Sequence, residues 1–169
     1  MTIKIGDTLP AGTLFESVGQ DDAKNCPMPP TPVDMNAFAA GKKVVIFGLP
    51  GAYTPTCSAQ HVPGYLKHLD ALKAKGVDAI ACMSVNDGFV MGAWGQSQKV
   101  GDKIRMLGDG SAAFTKALGL EFDLTKNGMG VRCQRFSVLV ENGVVKQVNV
   151  EGVGPANCSF AENMLVQLG

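Results

Sequence analysis

At 169 residues with 46% apolar content, the chain carries enough apolar surface for one continuous core and fits a single domain over residues 1–169. Fifteen acidic against fifteen basic residues leave a formal net charge of zero, which argues against a nucleic-acid binder or a protein held on anionic lipid. No apolar run approaches the roughly eighteen residues of a membrane span, and five irregularly spaced cysteines without a CxxC pair speak against a secreted disulfide framework or a zinc ribbon.

The opening "MTIKIGDTLPAG" lacks a charged region followed by an apolar one, so a cytoplasmic location is expected. The Pro-, Asp- and Asn-rich stretch "SVGQDDAKNCPMPPTPVD" reads as an irregular surface loop. "DMNAFAAG" predicts a short helix capped by Asp34 and stopped by Gly41. "KKVVIFGL" is β-branched and apolar along most of its length, which suits a central strand buried on both faces.

"PGYLKHLDALKAKG" places Tyr65, Leu66, Leu69 and Leu72 at helical spacing and closes on basic residues and Gly76. A second apolar strand, "VDAIACMSV", follows. Asn86 or Asp87 can cap the next helix, "DGFVMGAWGQSQKVG", whose internal glycines leave its length open. "KIRML" reads as a short strand, and "SAAFTKALG" as a helix capped by Ser111 and stopped by Gly119. The period then changes to two in "RFSVLVENGVVKQVNV", where Glu141-Asn142-Gly143 signals a hairpin between two strands. "CSFAENMLVQLG" closes as a helix behind a Ser159 cap, with Phe160, Met164 and Leu168 in one stripe. Three βα units feeding a hairpin and a last helix predict an α/β fold with a mixed sheet flanked by helices, compatible with a thioredoxin-like sandwich.

The stretch that carries chemistry is "PGAYTPTC", Pro50 to Cys57, where a buried strand has ended and a helix begins. In open α/β sheets ligands bind at that edge, beyond the carboxyl ends of the strands. A cysteine in the first helical turn meets unpaired backbone N–H groups and the positive end of the helix dipole, and both favour thiolate over thiol. Pro50 presets φ, Gly51 relaxes it, and Pro55 suits the first helical position. Thr54 and Thr56 add hydroxyls that can bond a thiolate or a substrate oxygen. The alternative is that "TPTC" only caps a helix and Cys57 is a buried small hydrophobe.

"PGAYTPTCS" resembles the Pro-x3-Thr-x2-Cys active-site signature of peroxiredoxins, and more closely the type-5 (type II) subfamily. "KKVVIFGLPGAYTPTCS", "HVPGYL", "LKAKGVD", "CMSVNDGFV" and "RFSVLVENGVV" look like that subfamily in the same order, over nearly the whole chain. The resemblance implies a thioredoxin-like fold and a thiol peroxidase in which Cys57 attacks hydrogen peroxide or an alkyl hydroperoxide and becomes a sulfenic acid. It implies that Thr54 hydrogen-bonds substrate and thiolate, that Pro50 shields the site from water, and that Arg135, in the "RFS" context, steadies negative charge. Arg132, three residues earlier, lacks that context. Tyr53 stands where the subfamily commonly has Phe, a packing change.

A sulfenic acid is resolved by a second thiol, from the protein or from outside. Cys158 resembles the intramolecular resolving cysteine of animal type-5 enzymes, and Cys26 resembles one that bonds across subunits in the fungal branch. Cys82 matches a cysteine used by plant type II enzymes, but its apolar strand reads as core packing, as does the setting of Cys133, which would share a strand face with Arg135. Cys158 and Cys26 lie in irregular segments able to move, and Cys158 is preferred slightly. If neither serves, a separate glutathione or glutaredoxin molecule would resolve Cys57. A thioredoxin is the reductant implied otherwise, and a homodimer is expected from the resemblance; no cofactor is implied.

Other classes fit less well. His61 lies four residues after Cys57 and His68 seven further on, but two ligands do not make a metal site. A disulfide oxidoreductase would want CxxC and a cysteine protease a partnered His base. A redox-sensing interaction protein, switched by Cys57 oxidation, shares the same first step and differs in turnover. "FVMGAW", Phe89 to Trp94, reads as core or dimer contact.

Overall fold

The computed structural model describes residues 1–152 and 156–169. The chain begins with β1 (Thr13–Glu16), the short strands β2 (Gln20–Asp21) and β3 (Cys26–Pro27), β4 (Thr31–Asp34), α1 (Met35–Ala39) and β5 (Lys43–Gly48). A π-helical turn (Cys57–His61) leads into α2 (Val62–Lys67), α3 (Leu69–Ala74), β6 (Ala79–Ser84), α4 (Gly88–Ser97), β7 (Arg105–Gly108) and α5 (Ala113–Leu118). Then come β8 (Glu121–Leu124), β9 (Gly130–Cys133), β10 (Phe136–Glu141), β11 (Val144–Val150) and α6 (Ala161–Leu168).

Seven strands form one sheet in the order β11-β10-β5-β6-β7-β1-β4. The central strands β5, β6 and β7 run parallel, as βα crossovers require, while β10, β11, β1 and β4 pair antiparallel. This is the mixed sheet of a thioredoxin-like fold. The run Val44-Val45-Ile46-Phe47 is wholly buried. Val44 and Ile46 enter one apolar cluster with Met83, Leu107, Phe114 and Val138. Val45 and Phe47 enter the other with Tyr65, Trp94, Met164 and Cys57. Burial on both faces is why the strand shows no alternation, and each such side chain contributes roughly 1.5–3 kcal/mol.

The expected elements form, with informative differences. Asp34 Oδ1 accepts from the Asn36 and Ala37 amides at 2.8 and 3.0 Å, and Gly41 follows α1 at φ 66°. The hairpin turns through Asn142 and Gly143, both at positive φ, as its Asn-Gly signal requires. The stretch read as an irregular loop instead contains the β2–β3 ribbon and β4, which closes the sheet edge against β1. Its prolines suit an edge strand, which forgoes half its ladder bonds anyway. The helix expected from Pro63 to Gly76 breaks at His68 into α2 and α3.

Caps are where local reading fails most. Asp87, not Asn86, caps α4 by accepting from Val90 N at 2.9 Å. Ser111 does not cap α5: Ala112 holds that position at φ 55°, and the buried Asp109 carboxylate accepts from the Phe114 and Thr115 amides at 3.2 and 2.7 Å. Ser159 does not cap α6, because its own amide and hydroxyl are drawn to Glu151 and Phe160 stands at the cap. Phe160 therefore precedes the helix stripe rather than opening it. The glycines of α4 serve contact: a Cβ on Gly92 would lie 2.9 Å from the Ser17 carbonyl oxygen, so only Gly lets this helix pack on the chain beside β1.

Candidate active site

The segment after β5 is pinned by its neighbours. Ala52 N donates to Asn86 Oδ1 at 3.0 Å, and Ser84 Oγ donates to the same oxygen at 2.7 Å. Tyr53 is held at φ 62°, a left-handed conformation costing an L residue on the order of 1–2 kcal/mol. Arg132 buttresses the loop from behind, donating to the carbonyls of Met129 at 2.7 Å and Val85 at 3.2 Å. Its guanidinium nitrogen would lie 3.2 Å from a Cβ at Gly51, so a side chain there would press on Arg132.

Helical structure begins at Pro55, and Ser58 N donates to Thr54 O at 3.0 Å, which puts Cys57 in the first turn. Cys57 is fully buried. Burial alone would fit a packing cysteine, but Arg135 Nη2 donates to its sulfur at 3.3 Å. A guanidinium only donates, so the sulfur stands as the acceptor of a charged donor in a dry site. Arg135, just before β10, thus reaches the sulfur, whereas Arg132 serves the loop backbone. Thr54 Oγ1 does not donate to sulfur: it gives its proton to Gly51 O at 2.8 Å and so keeps its lone pairs for accepting. Pro50 and Arg135 line a cavity of about 600 Å³ together with Phe122, Gln134 and Glu151.

Behind Arg135 stands a buried polar chain. Arg135 Nη1 donates to His61 Nδ1 at 3.0 Å, and His61 Nε2 contacts the Ser159 carbonyl at 3.2 Å. Tyr65 Oη donates to that carbonyl at 2.9 Å. Burial and the positive charge of Arg135 push the His61 pKa down to about 3, so the ring is neutral. Burial likewise raises the Tyr65 hydroxyl far above its usual range. Glu151 Oε1 accepts from Asn157 N, Ser159 N and Ser159 Oγ at 2.9, 2.7 and 2.7 Å. Partial burial opposes its charge, but those donors outweigh it and hold its pKa below the usual value.

The other cysteines separate clearly, and all are free thiols. Cys82, on β6, is fully buried in the same cluster as Cys57, and burial with the neighbouring sulfur drives its pKa well up. Cys133 does not share a face with Arg135: β9 ends at Cys133, whose side chain enters the opposite cluster, and burial raises its pKa strongly. Cys26 lies in strand β3 rather than in irregular chain. Cys158 is half-buried in the turn before α6, next to Ser159; burial and the Glu151 carboxylate push its thiol up to about 11.

His61 and His68 do not converge, since His68 Nε2 pairs with Glu162 at 3.0 Å. Trp94 of the "FVMGAW" stretch is core and donates to Ser58 Oγ at 3.1 Å, whereas Phe89 is 48% exposed. Residue reading singled out neither Glu151 nor Asn86 for the site. His61 carried one usable signal, its spacing of one helical turn from Cys57.

Comparison with known proteins identifies the family. A family model described as Redoxin matches residues 4–165. Peroxiredoxin-2C of Oryza sativa subsp. japonica is 47% identical, covering 98% of this chain and 98% of its own. Reduced Prx3 of Vibrio vulnificus in complex with H2O2 superposes with a TM-score of 0.89 at 46% identity, covering 99% of this chain and 100% of its own. A Burkholderia cenocepacia structure bearing a provisional thioredoxin reductase name reaches a TM-score of 0.93 at 50% identity, covering 100% of this chain and 99% of its own. With a matching family model over most of its length and relatives of this identity end to end, the chain belongs to the redoxin family and is a peroxiredoxin.

Proposed function

We propose that this thiol peroxidase works through Cys57, and the observation that carries the reading is the Arg135 guanidinium 3.3 Å from a buried sulfur in the first turn of a helix. The thiolate attacks one oxygen of hydrogen peroxide or an alkyl hydroperoxide; an S–O bond forms as the O–O bond breaks, and the leaving oxygen departs as water or alcohol after taking up a proton. The sulfur is oxidised to a sulfenic acid and the peroxide reduced. Arg135 steadies charge on the departing oxygen, Thr54 accepts from the peroxide O–H, and Pro50 walls the site from water.

A thiol then attacks the sulfenic sulfur, releasing water and leaving a disulfide that a thioredoxin-type reductant opens. We assign the first of these thiols to Cys158, whose turn borders the site, ahead of Cys26; glutathione or glutaredoxin takes that place if neither reaches. The type-5 subfamily is the best fit to "PGAYTPTCS". Tyr53, 58% exposed in the active-site loop, and Phe89, 48% exposed on α4, suit the buried face of a homodimer. The five free thiols suit a reducing cytoplasm. Reductase activity is not carried over from the Burkholderia name, because disulfide exchange of that kind uses a CxxC pair and the sequence has none.

The test is peptide mass mapping after one equivalent of hydrogen peroxide, with and without glutathione. A Cys57–Cys158 disulfide supports the assignment, and a persistent sulfenic acid that becomes a glutathione adduct moves resolution outside the chain. Oxidation without turnover in any reductant would make the site a sensor, and an unoxidised Cys57 would sink the peroxidase mechanism.

A further inference from the structure

We infer that His61 is a positioning residue for peroxide reduction: its bare Nδ1 holds the Arg135 guanidinium on the Cys57 sulfur, and the Ser159 carbonyl keeps Nδ1 bare by engaging the ring proton at Nε2. This rests on Cys57 being the peroxide-reducing thiol.

The partners on either side of the ring fix where its proton sits. A carbonyl oxygen only accepts, so at 3.2 Å from Ser159 O the Nε2 atom must carry the proton. A guanidinium only donates, so at 3.0 Å from Arg135 Nη1 the Nδ1 atom must be unprotonated. One neutral tautomer satisfies both partners. The other would turn an N–H toward a cation and leave the carbonyl without its imidazole donor, in a residue only 1% exposed. The His61 pKa, pushed down to about 3 by burial and the Arg135 charge, keeps Nδ1 an acceptor under all ordinary conditions.

Arg135 needs such a clamp. It lies in the short connection between β9 and β10, where its carbonyl accepts from Glu151 N at 2.9 Å and fixes the backbone, but its long side chain has rotamer freedom to lose. The ring that holds it is fixed from three elements: Phe47 of β5 at 4.8 Å, Tyr65 of α2 at 5.7 Å and Phe160 before α6 at 5.0 Å between centroids. Anchoring Nη1 leaves Nη2 aimed at sulfur. Both nitrogens of His61 are occupied by Arg135 and Ser159, so the ring acts through Arg135 rather than as a base.

The experiment compares His61→Asn, His61→Gln and His61→Phe by the single-turnover rate of Cys57 oxidation with hydrogen peroxide, alone and on an Arg135→Gln background. Asn places an amide oxygen near the Nδ1 position, while Gln places its amide at the Nε2 end of the ring and leaves the Nδ1 position empty. The Phe and Gln variants are expected to lose about 10²-fold, the loss that misplacing a reacting or stabilising group brings, with Asn losing least. On the Arg135→Gln background the Phe change should add nothing, since the interaction it breaks is already gone. Equal losses for Asn and Gln, or a full additional loss on that background, would overturn the clamp. If the Phe variant does not fold, the Asn–Gln contrast carries the test. ¹⁵N NMR of the His61 ring in the unmodified protein tests the tautomer independently of activity: a bare Nδ1 is expected, and a protonated one refutes the inference even if peroxide never oxidises Cys57.

Discussion

Arg135 lies between two segments that are ordered in different ways. The loop from Pro50 to Cys57 carries its own instructions, with Pro50 and Pro55 fixing φ, Gly51 admitting Arg132, and Thr54 bonding back to Gly51 O at 2.8 Å. The turn from Asn157 to Phe160 takes its order from elsewhere, through Glu151, His61 and Tyr65. The first is organised to present a sulfur. The second is fastened by groups that other chemistry can release, which suits a segment that must move if Cys158 is to reach Cys57.

The sharpest break of that comparison is a pair of serine variants. Cys57→Ser should abolish peroxide consumption, whereas Cys158→Ser should leave the first turnover intact and slow only recycling by a thioredoxin-type reductant. Equal loss in both at the first turnover would erase the distinction between the two segments. Next comes the arginine pair. Arg135→Ala should lower the rate of Cys57 oxidation about 10²–10³-fold, the range for removing a donor aimed at developing charge. Arg132→Ala should act mainly on stability, by about 1–2 kcal/mol in chemical denaturation for its lost bonds to Met129 O and Val85 O.

A third contrast is read in acid. His61 stays neutral in the fold down to about 3 but takes up a proton near 6.5 once unfolded. Stability should therefore fall as pH drops below 6.5, by at most about 1.4 kcal/mol per pH unit. Denaturation midpoints at pH 7, 5.5 and 4 should decline less steeply for His61→Phe than for the unmodified chain; parallel slopes would contradict a buried neutral ring. The smallest effect belongs to Glu151→Gln, which weakens charge-assisted bonds to Asn157 and Ser159 at a partly exposed site. A loss of about 1 kcal/mol is expected, shrinking as pH falls from the ordinary carboxylate value of 4.5 through the lower value at which the folded group gives up its charge. A loss that persists at low pH would show the site to be held by shape rather than charge.

Legibility followed the reach of the interactions. Residues 44–47 announce a strand buried on both faces, and Asn142-Gly143 announces a hairpin, because periodicity and turn chemistry act within a few residues. The edge strand β4 was hidden in a Pro-rich stretch, since only its partner β1 supplies the ladder that makes it a strand. The failed caps have one cause. Ser111 and Ser159 have capping chemistry close to a helix start, but the Asp109 carboxylate takes the first α5 amides and Glu151 takes the Ser159 amide and hydroxyl themselves, both from outside the local stretch.

By itself the sequence determined the mixed α/β order, the strand–turn–helix that sets Cys57 at a helix start, and the choice of Arg135 over Arg132 through its resemblance context. Only the tertiary structure decided what surrounds that sulfur. Arg135 meets Cys57 across 78 positions, His61 meets Arg135 across 74, and Ser159 meets His61 across 98. Contacts at such separations leave no trace in local spacing. They arise when β5, β10 and the chain before α6 are brought side by side by burial of their apolar faces, and the polar groups carried along must then find partners in a space from which water is excluded.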